Sequence, residues 1–223
     1  HMTFPGGDPH NVYMPLGTPA CDTYLTDMAL ASNFATVNHL LVSMYVLEAF
    51  REVLGESTHA DLVYYIAHNI IRRELVDGKM AYVHRKGATR ALPAGHPELK
   101  KTAYADTGHP ILLPGNPVDG STVMVGLKGS RLALNSVNHG AGRQMSRRQA
   151  TARFDQHEVN KLFIDADILT NCRQYPIDEA PAAYKPYDQV IASVEEAGLA
   201  ATVAKLRPVM NIKDNDTRQE TSA

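Results

Sequence analysis

The chain has 223 residues, of which 44% are apolar and 21% are charged, and its formal net charge is -2. This composition is typical of a folded globular protein and excludes a disordered or collagen-like chain. A slightly negative charge also argues against nucleic-acid binding by bulk electrostatics, because phosphate neutralisation requires clustered Lys and Arg. Local clusters can still bind phosphate. Two cysteines, Cys21 and Cys172, are too few for a disulfide framework and predict reduced thiols.

The two ends of the chain contribute little to the predicted fold. His1 and Met2 have the form of a tag remnant, residues 3–21 form an extended entry segment, and residues 214–223 form a flexible tail. No signal-peptide pattern is present, and no stretch reaches the roughly 18 apolar residues of a membrane span. We therefore expect a cytoplasmic protein that makes no membrane contact.

The first predicted element is a helix over residues 22–54, where apolar side chains recur at the spacing of one buried face. Asp22 is the expected N-cap and Gly55 the expected stop. An apolar segment at 62–76 then leads into Asp77-Gly78 and a second apolar run at 80–84. Asp-Gly between two such runs predicts a β-hairpin, because both central turn residues need positive φ.

The remainder of the chain predicts a sheet with functional loops, followed by helices. Short apolar runs separated by Gly and Pro fill residues 87–142. A capping box at Ser146 to Gln149 predicts a helix to about residue 154. Further helices are expected at about 157–163, 187–196 and 199–206, the last ending before Pro208. This order predicts a single-domain α+β fold with a mixed or antiparallel sheet and surrounding helices.

The segment with the most evident chemistry runs from residue 138 to residue 147. It places His139 before two glycines, two arginines and a helix start. Glycines let the backbone approach an anion, a helix start offers free amides, and guanidinium groups bind phosphoryl oxygens in pairs. A neutral imidazole there can attack phosphorus and hold a phosphoramidate. The alternative is a Gly-rich turn around a buried, hydrogen-bonded histidine.

Four other segments are ambiguous from their residues alone. The basic run at 84–90 suits phosphate or RNA backbone but equally suits a solvated loop. His68 interrupts an apolar run, where a histidine is more often a core residue than a metal ligand. The loop 114–121 can present amides and a hydroxyl to a nucleotide, or form a structural turn. Tyr184 can stack on a base, and a lysine near the end can meet the base carbonyl, although surface roles are commoner.

In this order the segments resemble the RtcB family of RNA ligases, over nearly all of residues 20–213. The most specific matches are His-Arg-Lys-Gly-Ala-Thr-Arg at 84–90 and His-Gly-Ala-Gly-Arg at 139–143. Supporting matches are His68-Asn69, Pro114-Gly115, Ser146-Arg147, Glu-Ala-Pro at 179–181 and Tyr184-Lys185. The resemblance therefore implies an RtcB-like fold, with residues 22–213 as its catalytic portion.

The resemblance also implies an enzyme that depends on GTP and Mn(II) and joins an RNA 2′,3′-cyclic phosphate or 3′-phosphate end to a 5′-hydroxyl end. Such joining occurs in tRNA splicing and RNA repair. His139 matches the nucleophile that becomes guanylylated, and His68 matches a manganese ligand, which replaces its interpretation as a core residue. The implied partners are RNA with broken or spliced tRNA-like ends and an archease-like activator.

Further site residues follow from the same resemblance. The implied nucleotide-binding residues are Asn116, Ser121, Gly140, Ala141, Gly142, Arg143, Tyr184 and Lys213. The implied contacts to RNA or phosphate are Arg85, Lys86, Arg90 and Arg147.

The sequence departs from the family at several positions. Three segments that usually supply metal ligands, Asp-x-Gly-Cys, Gly-Asn-His-Phe and His-x-Gly-Ser, lie upstream of the matched region and have no counterpart here. Asn116 stands where the family has a serine, so its side chain must replace a hydroxyl contact with a different reach. His39 stands where the family has an arginine, which predicts weaker contact with phosphate or RNA.

Two hypotheses follow. In the first, the chain is part of a nucleotidyl-transferring RNA ligase, as a fragment or split half that is active when an N-terminal half is supplied. In the second, it is a truncated paralogue that binds nucleotide or RNA without ligase activity of its own.

Overall fold

The structure is a computed structural model that describes residues 13–213. The tag remnant, the first part of the entry segment and the tail lie outside the described residues. The chain divides into two compact units. The first comprises the described residues up to Tyr65 together with Asn69–Arg85, and the second comprises Ile66–His68 together with the chain from Lys86 onward.

The first unit begins with a long helix, α1 (Pro19–Leu54). The Thr18 side chain accepts a hydrogen bond from the backbone N–H of Cys21, and Pro19 occupies the first helical turn. Both features favour a helix start, so α1 begins before the predicted cap Asp22 and includes the end of the predicted entry segment. Gly55 ends the helix with φ of 103°, as predicted.

The apolar side chains of α1 are largely exposed. Phe34 is 74% exposed and Tyr45 is 68% exposed, whereas Cys21 is buried. The predicted buried face is therefore not covered within the described residues. By length and composition α1 qualifies as a membrane span, which the sequence analysis did not predict. The core helix of a soluble protein can meet the same criteria. The length and composition of α1 are therefore only weak evidence that it spans a membrane.

The predicted hairpin is confirmed. Strands β1 (Asn69–Val76) and β2 (Lys79–Lys86) pair with each other, and Asp77 and Gly78 between them have φ of 46° and 80°. Arg85 is only 3% exposed, and its guanidinium donates two 2.8 Å hydrogen bonds to the Glu74 carboxylate. Paired charges of this kind can be buried, so Arg85 contributes to the hairpin itself.

The second unit contains three small sheets. In the first, β3 (Ala88–Arg90) pairs antiparallel with β6 (Ser136–Asn138). The central sheet is antiparallel and contains, in spatial order, β4 (Pro110–Pro114), β5 (Ser121–Gly126) and β8 (Ala200–Leu206). A short parallel pair is formed by β7 (Leu169–Thr170) and β9 (Met210–Asn211). The predicted α+β class and antiparallel pairing are confirmed.

Three predicted helices of this unit are confirmed as α2 (Arg147–Arg153), α3 (Gln156–Asp165) and α4 (Tyr187–Glu196). The predicted capping box is present, with Ser146 accepting from the Gln149 N–H and the Gln149 side chain accepting from the Ser146 N–H. Both cysteines of the chain are free thiols, as expected.

The predicted helix at 199–206 is wrong, because these residues form β8. Alanine, lysine and leucine favour a helix locally. However, Gly198 with φ of 63° follows α4 and reverses the chain, and β5 offers an unpaired edge. Pairing from Ser121↔Leu206 to Gly126↔Ala200 satisfies the backbone of both strands and outweighs the local preference.

The core of this unit lies between the central sheet and α4. Ile111, Leu113 and Met124 are fully buried and pack with Ile191 and Val194. A second buried cluster forms beside α3 around Phe163 and Tyr175, whose ring centroids are 4.2 Å apart. The central sheet is therefore packed against a buried core, and its connecting loops extend from it.

Tyr187 joins α4 to the sheet by a buried hydrogen bond. Its hydroxyl donates to the Leu113 carbonyl at 2.7 Å and lies 2.7 Å from the Thr122 hydroxyl. We expect Tyr187→Phe to lower the free energy of unfolding by about 1–2 kcal/mol, since a buried acceptor loses its donor. Urea unfolding would measure this. Tyr45→Phe, at an exposed ring, is the matched control and should change stability by less than about 0.5 kcal/mol; equal effects would contradict the assignment.

Candidate nucleotide and phosphate site

Two histidines that are far apart in sequence come together through the main chain. The Gly87 N–H donates to the His68 carbonyl at 2.9 Å, and the His139 N–H donates to the Gly87 carbonyl at 3.1 Å. Gly87 has φ of 67°, which glycine adopts without strain. The imidazole rings of His68 and His139 lie face to face, with centroids 3.7 Å apart and planes inclined by 4°. The structure thus brings together the predicted nucleophile and the predicted metal ligand.

The environment of His139 favours its neutral form. Burial, and secondarily the charge of neighbouring His68, lowers the pKa of His139 below its ordinary value. Its Nδ1 is buried and has no hydrogen-bond partner among residues 13–213. A neutral ring with an available lone pair is what nucleophilic attack requires.

The glycine-rich loop after His139 packs on the turn that follows β4. The Ala141 N–H donates to the Pro114 carbonyl at 3.0 Å, and a Cβ on Gly140 would lie 3.0 Å from that oxygen. Gly142 has φ of 74°, and its carbonyl accepts from the Lys185 N–H at 3.0 Å. The loops predicted to contact nucleotide are therefore neighbours in space.

Asn116 uses its side chain to close its own turn. Its Oδ1 accepts from the N–H groups of Val118 and Asp119 at 2.9 Å each, and its Nδ2 donates to the Asp119 carboxylate at 2.7 Å. This is an Asx-type turn. The Asn116 side-chain amide, which was predicted to contact nucleotide, is therefore already hydrogen-bonded within its own turn. Ser121 lines an open cleft of about 550 Å³, together with Asp119, Pro186, Tyr187, Asp188, Gln189 and Lys205.

A charged cluster forms where the glycine-rich loop meets residues 178–184. Arg143 donates to the carbonyls of Met145 at 3.1 Å and Asp178 at 2.5 Å, and its guanidinium carbon lies 5.1 Å from the Tyr184 ring centroid. Arg147 pairs with the carboxylates of Asp178 and Glu179, although its side chain remains 66% exposed. The predicted residues Arg143, Arg147 and Tyr184 therefore form one cluster.

Lys213 lies against the second buried cluster. Its ammonium is 5.7 Å from the Tyr175 ring centroid, and its N–H donates to the Asn171 side chain at 2.9 Å. Tyr175 is 1% exposed, and its hydroxyl has no hydrogen-bond partner within the described range. Burial, with further contributions led by Glu179, raises the pKa of Tyr175. Sequence reasoning did not single out Tyr175, whose surroundings carry no motif.

The predicted basic loop is only partly available to a ligand. Lys86 is exposed at the end of β2. Arg90, in β3, forms an ion pair with Glu98 at 2.5 Å, with side chains 12% and 43% exposed. An exposed lysine suits a phosphate contact, whereas Arg90 would have to replace the Glu98 carboxylate with a phosphate group.

Comparison with known proteins identifies the family. The family model described as tRNA-splicing ligase RtcB matches residues 3–214. The chain belongs to the RtcB family. Curated relatives with the name tRNA-splicing ligase RtcB include those of Thermococcus kodakarensis, 39% identical over 92% of this chain, and Nanoarchaeum equitans, 38% identical over 91%.

This chain is shorter than its RtcB relatives. It spans 44% of the Thermococcus kodakarensis and Nanoarchaeum equitans proteins, and 25% of the Pyrococcus horikoshii relative, to which it is 37% identical over 92% of its own length. Each of these relatives is named as a tRNA-splicing ligase.

His68, the predicted metal ligand, can offer an imidazole nitrogen. No group of three or more His, Cys, Asp or Glu side chains converges within residues 13–213.

Proposed function

We propose that this chain carries the guanylyl-transfer portion of an RNA ligase that uses GTP and Mn(II). The full reaction would join an RNA 2′,3′-cyclic phosphate or 3′-phosphate end to a 5′-hydroxyl end. The observation that carries the proposal is the stacked pair of His68 and His139, with the glycine-rich loop and Arg143 directly after His139 in the chain. RNA with broken or spliced tRNA-like ends is the proposed substrate, and an archease-like protein the proposed activator.

In the proposed step, a nitrogen of His139 attacks the α-phosphorus of GTP. Its lone pair forms the P–N bond while the bond from phosphorus to the bridging oxygen breaks, and pyrophosphate leaves with that electron pair. Because Nδ1 is buried, we assign the attack to Nε2. The lowered pKa of His139 supports this role, since a protonated ring has no free lone pair.

The surrounding residues would hold the nucleotide. The amides of Gly140, Ala141 and Gly142 and the guanidinium of Arg143 are the proposed phosphate contacts, while Tyr184, Ser121 and Lys213 are the proposed guanosine contacts. Lys86, Arg90 and Arg147 are the proposed contacts to RNA phosphate.

Mn(II) would supply Lewis-acid stabilisation of phosphoryl charge when bound. His68 is its proposed ligand in this chain. We propose that the other ligands come from an N-terminal portion, consistent with the greater length of the relatives.

Labelling with GTP tests the proposal. The chain would be incubated with α-phosphate-labelled GTP and Mn(II), alone and with the N-terminal portion of the Thermococcus kodakarensis relative supplied as a separate polypeptide. We expect covalent label on this chain that is lost in acid and kept in alkali, the behaviour of a P–N bond. Absence of label in both mixtures, with correctly folded chains, would contradict it.

A second candidate is a nucleotide-binding module without catalysis. The observation in its favour is the cluster of Arg143, Arg147 and Tyr184, which can bind a nucleotide without any covalent step. This candidate predicts GTP binding that Mn(II) does not change and no covalent label in either mixture. Calorimetric titration with GTP, with and without Mn(II), distinguishes the two.

A further inference from the structure

We propose that Glu179 is a positioning residue of this site, whose carboxylate fixes the Tyr184 phenol and the Arg143 guanidinium in the arrangement that receives a nucleotide. This inference deepens the proposed function and rests on it. Glu179 was noted in the sequence only as part of a supporting motif, and no role was predicted for it.

The Glu179 carboxylate lies close to three side chains. The Tyr184 hydroxyl donates to its Oε2, Arg147 Nη1 lies 2.5 Å from its Oε1, and Arg143 Nη1 lies 3.6 Å from the same oxygen. A carboxylate has about four acceptor positions, so it can serve these groups together. The Glu179 side chain is only 14% exposed, which limits competition from water.

Arg143 is held firmly but retains one available donor. Its Nε and Nη2 are fixed by the carbonyls of Met145 and Asp178. Its Nη1 is buried and forms no hydrogen bond within residues 13–213, because 3.6 Å to Glu179 is too long for one. Glu179 thus balances the charge of Arg143 while leaving Nη1 able to donate to an incoming phosphoryl oxygen.

The Tyr184 side chain is contacted both at its hydroxyl and on one face of its ring. Its hydroxyl is bound by Glu179, its backbone forms a β-bridge with Arg143, and the Arg143 guanidinium lies over its ring. Burial and then the Glu179 contact raise the pKa of Tyr184, so the phenol remains a donor. One face of the ring is covered by a cation, and stacking of a base on the other would be sensitive to loss of Glu179.

The backbone around Glu179 is suited to positioning. Glu179 ends one 3-10 turn, Ile177–Glu179, and a second, Pro181–Ala183, follows directly. Between them Ala180 is 1% exposed and belongs to the second buried cluster. Ala183 in the second turn is also fully buried, so the carboxylate extends from a segment that is attached to the core at two positions.

Substitution of Glu179 tests the proposal by GTP affinity. We expect Glu179→Ala to weaken calorimetric GTP binding by about 10-fold or more, from loss of a partly buried charged contact. Glu179→Gln should weaken it by about 3-fold to 10-fold, since the amide still accepts from Tyr184 but has no charge. The matched control Glu158→Gln, an exposed carboxylate on α3, should stay within about 2-fold.

A double-mutant cycle separates positioning from general support of the fold. If Glu179 acts through Tyr184, Tyr184→Phe combined with Glu179→Ala should weaken GTP binding no more than Glu179→Ala alone. The melting temperatures of all variants identify any that unfold. If Glu179→Ala does not fold, the GTP affinity of the near-isosteric Glu179→Gln variant tests the inference. Additive effects, or wild-type affinity in Glu179→Gln, would overturn the inference. No GTP binding by the unmodified chain would instead count against the proposed function itself, and so against both.

Discussion

Replacing His139 by alanine should abolish covalent labelling by GTP, by about 1,000-fold or more, because no other group takes the place of a covalent nucleophile. The ring is half-buried, faces His68 and has a lowered pKa, and its loss would remove the proposed nucleophile. The measurement is label retained on the denatured chain after incubation with α-labelled GTP and Mn(II), with the N-terminal portion supplied.

The control for this prediction is His157→Ala, which removes an exposed imidazole from α3 and should leave labelling within about 2-fold of the unmodified chain. Non-covalent GTP affinity of His139→Ala should also change little, by about 3-fold or less, since the arginine and tyrosine contacts remain. Label persisting on His139→Ala would show that another residue is the nucleophile and would remove the basis of the proposed step.

The largest effect on stability is expected for Gly120→Ala. Gly120 has φ of 89°, and a Cβ there would lie 2.1 Å from the Leu206 carbonyl oxygen at the end of β8. Both the backbone conformation and the contact exclude a side chain. We expect the free energy of unfolding to fall by about 3 kcal/mol or more, as strain and overpacking act together. Urea unfolding of the variant would measure the loss.

Gly198→Ala provides the comparison for Gly120→Ala. Gly198 also has positive φ, at 63°, but nothing lies within 4 Å of its added Cβ. Its substitution should therefore cost only the backbone term, about 1–2 kcal/mol. Equal losses in the two variants would show that β8 moves away from Gly120 and that the close approach is not rigid.

The sequence predicts elements best where a local signal decides the structure. The Asp77-Gly78 hairpin and the Ser146 capping box were correct because turn and cap geometry depend on adjacent residues. The segment 199–206 was predicted as a helix because its residues favour one, whereas pairing with the partner strand β5 makes residues 200–206 the strand β8. The predicted buried face of α1 is also largely exposed within the described residues.

The site was predictable to a similar degree. Resemblance to a known family indicated His68 and His139, and the structure adds their stacking through Gly87, which no spacing rule supplies. Burial of Arg85 against Glu74 depends on strand pairing and was not predicted. Glu179 was missed as a functional candidate, because a carboxylate in a short turn gives no periodic signal before its partners are known.

The main-chain link from His68 through Gly87 to His139 also has a mechanical consequence. Because each hydrogen bond of the link joins backbone atoms, the main chain at His68 and the main chain at His139 would move together. Substitution of neighbouring side chains would leave these backbone contacts in place. Movement of the surrounding loops would then open or close access to both histidines together, without separating their main-chain segments.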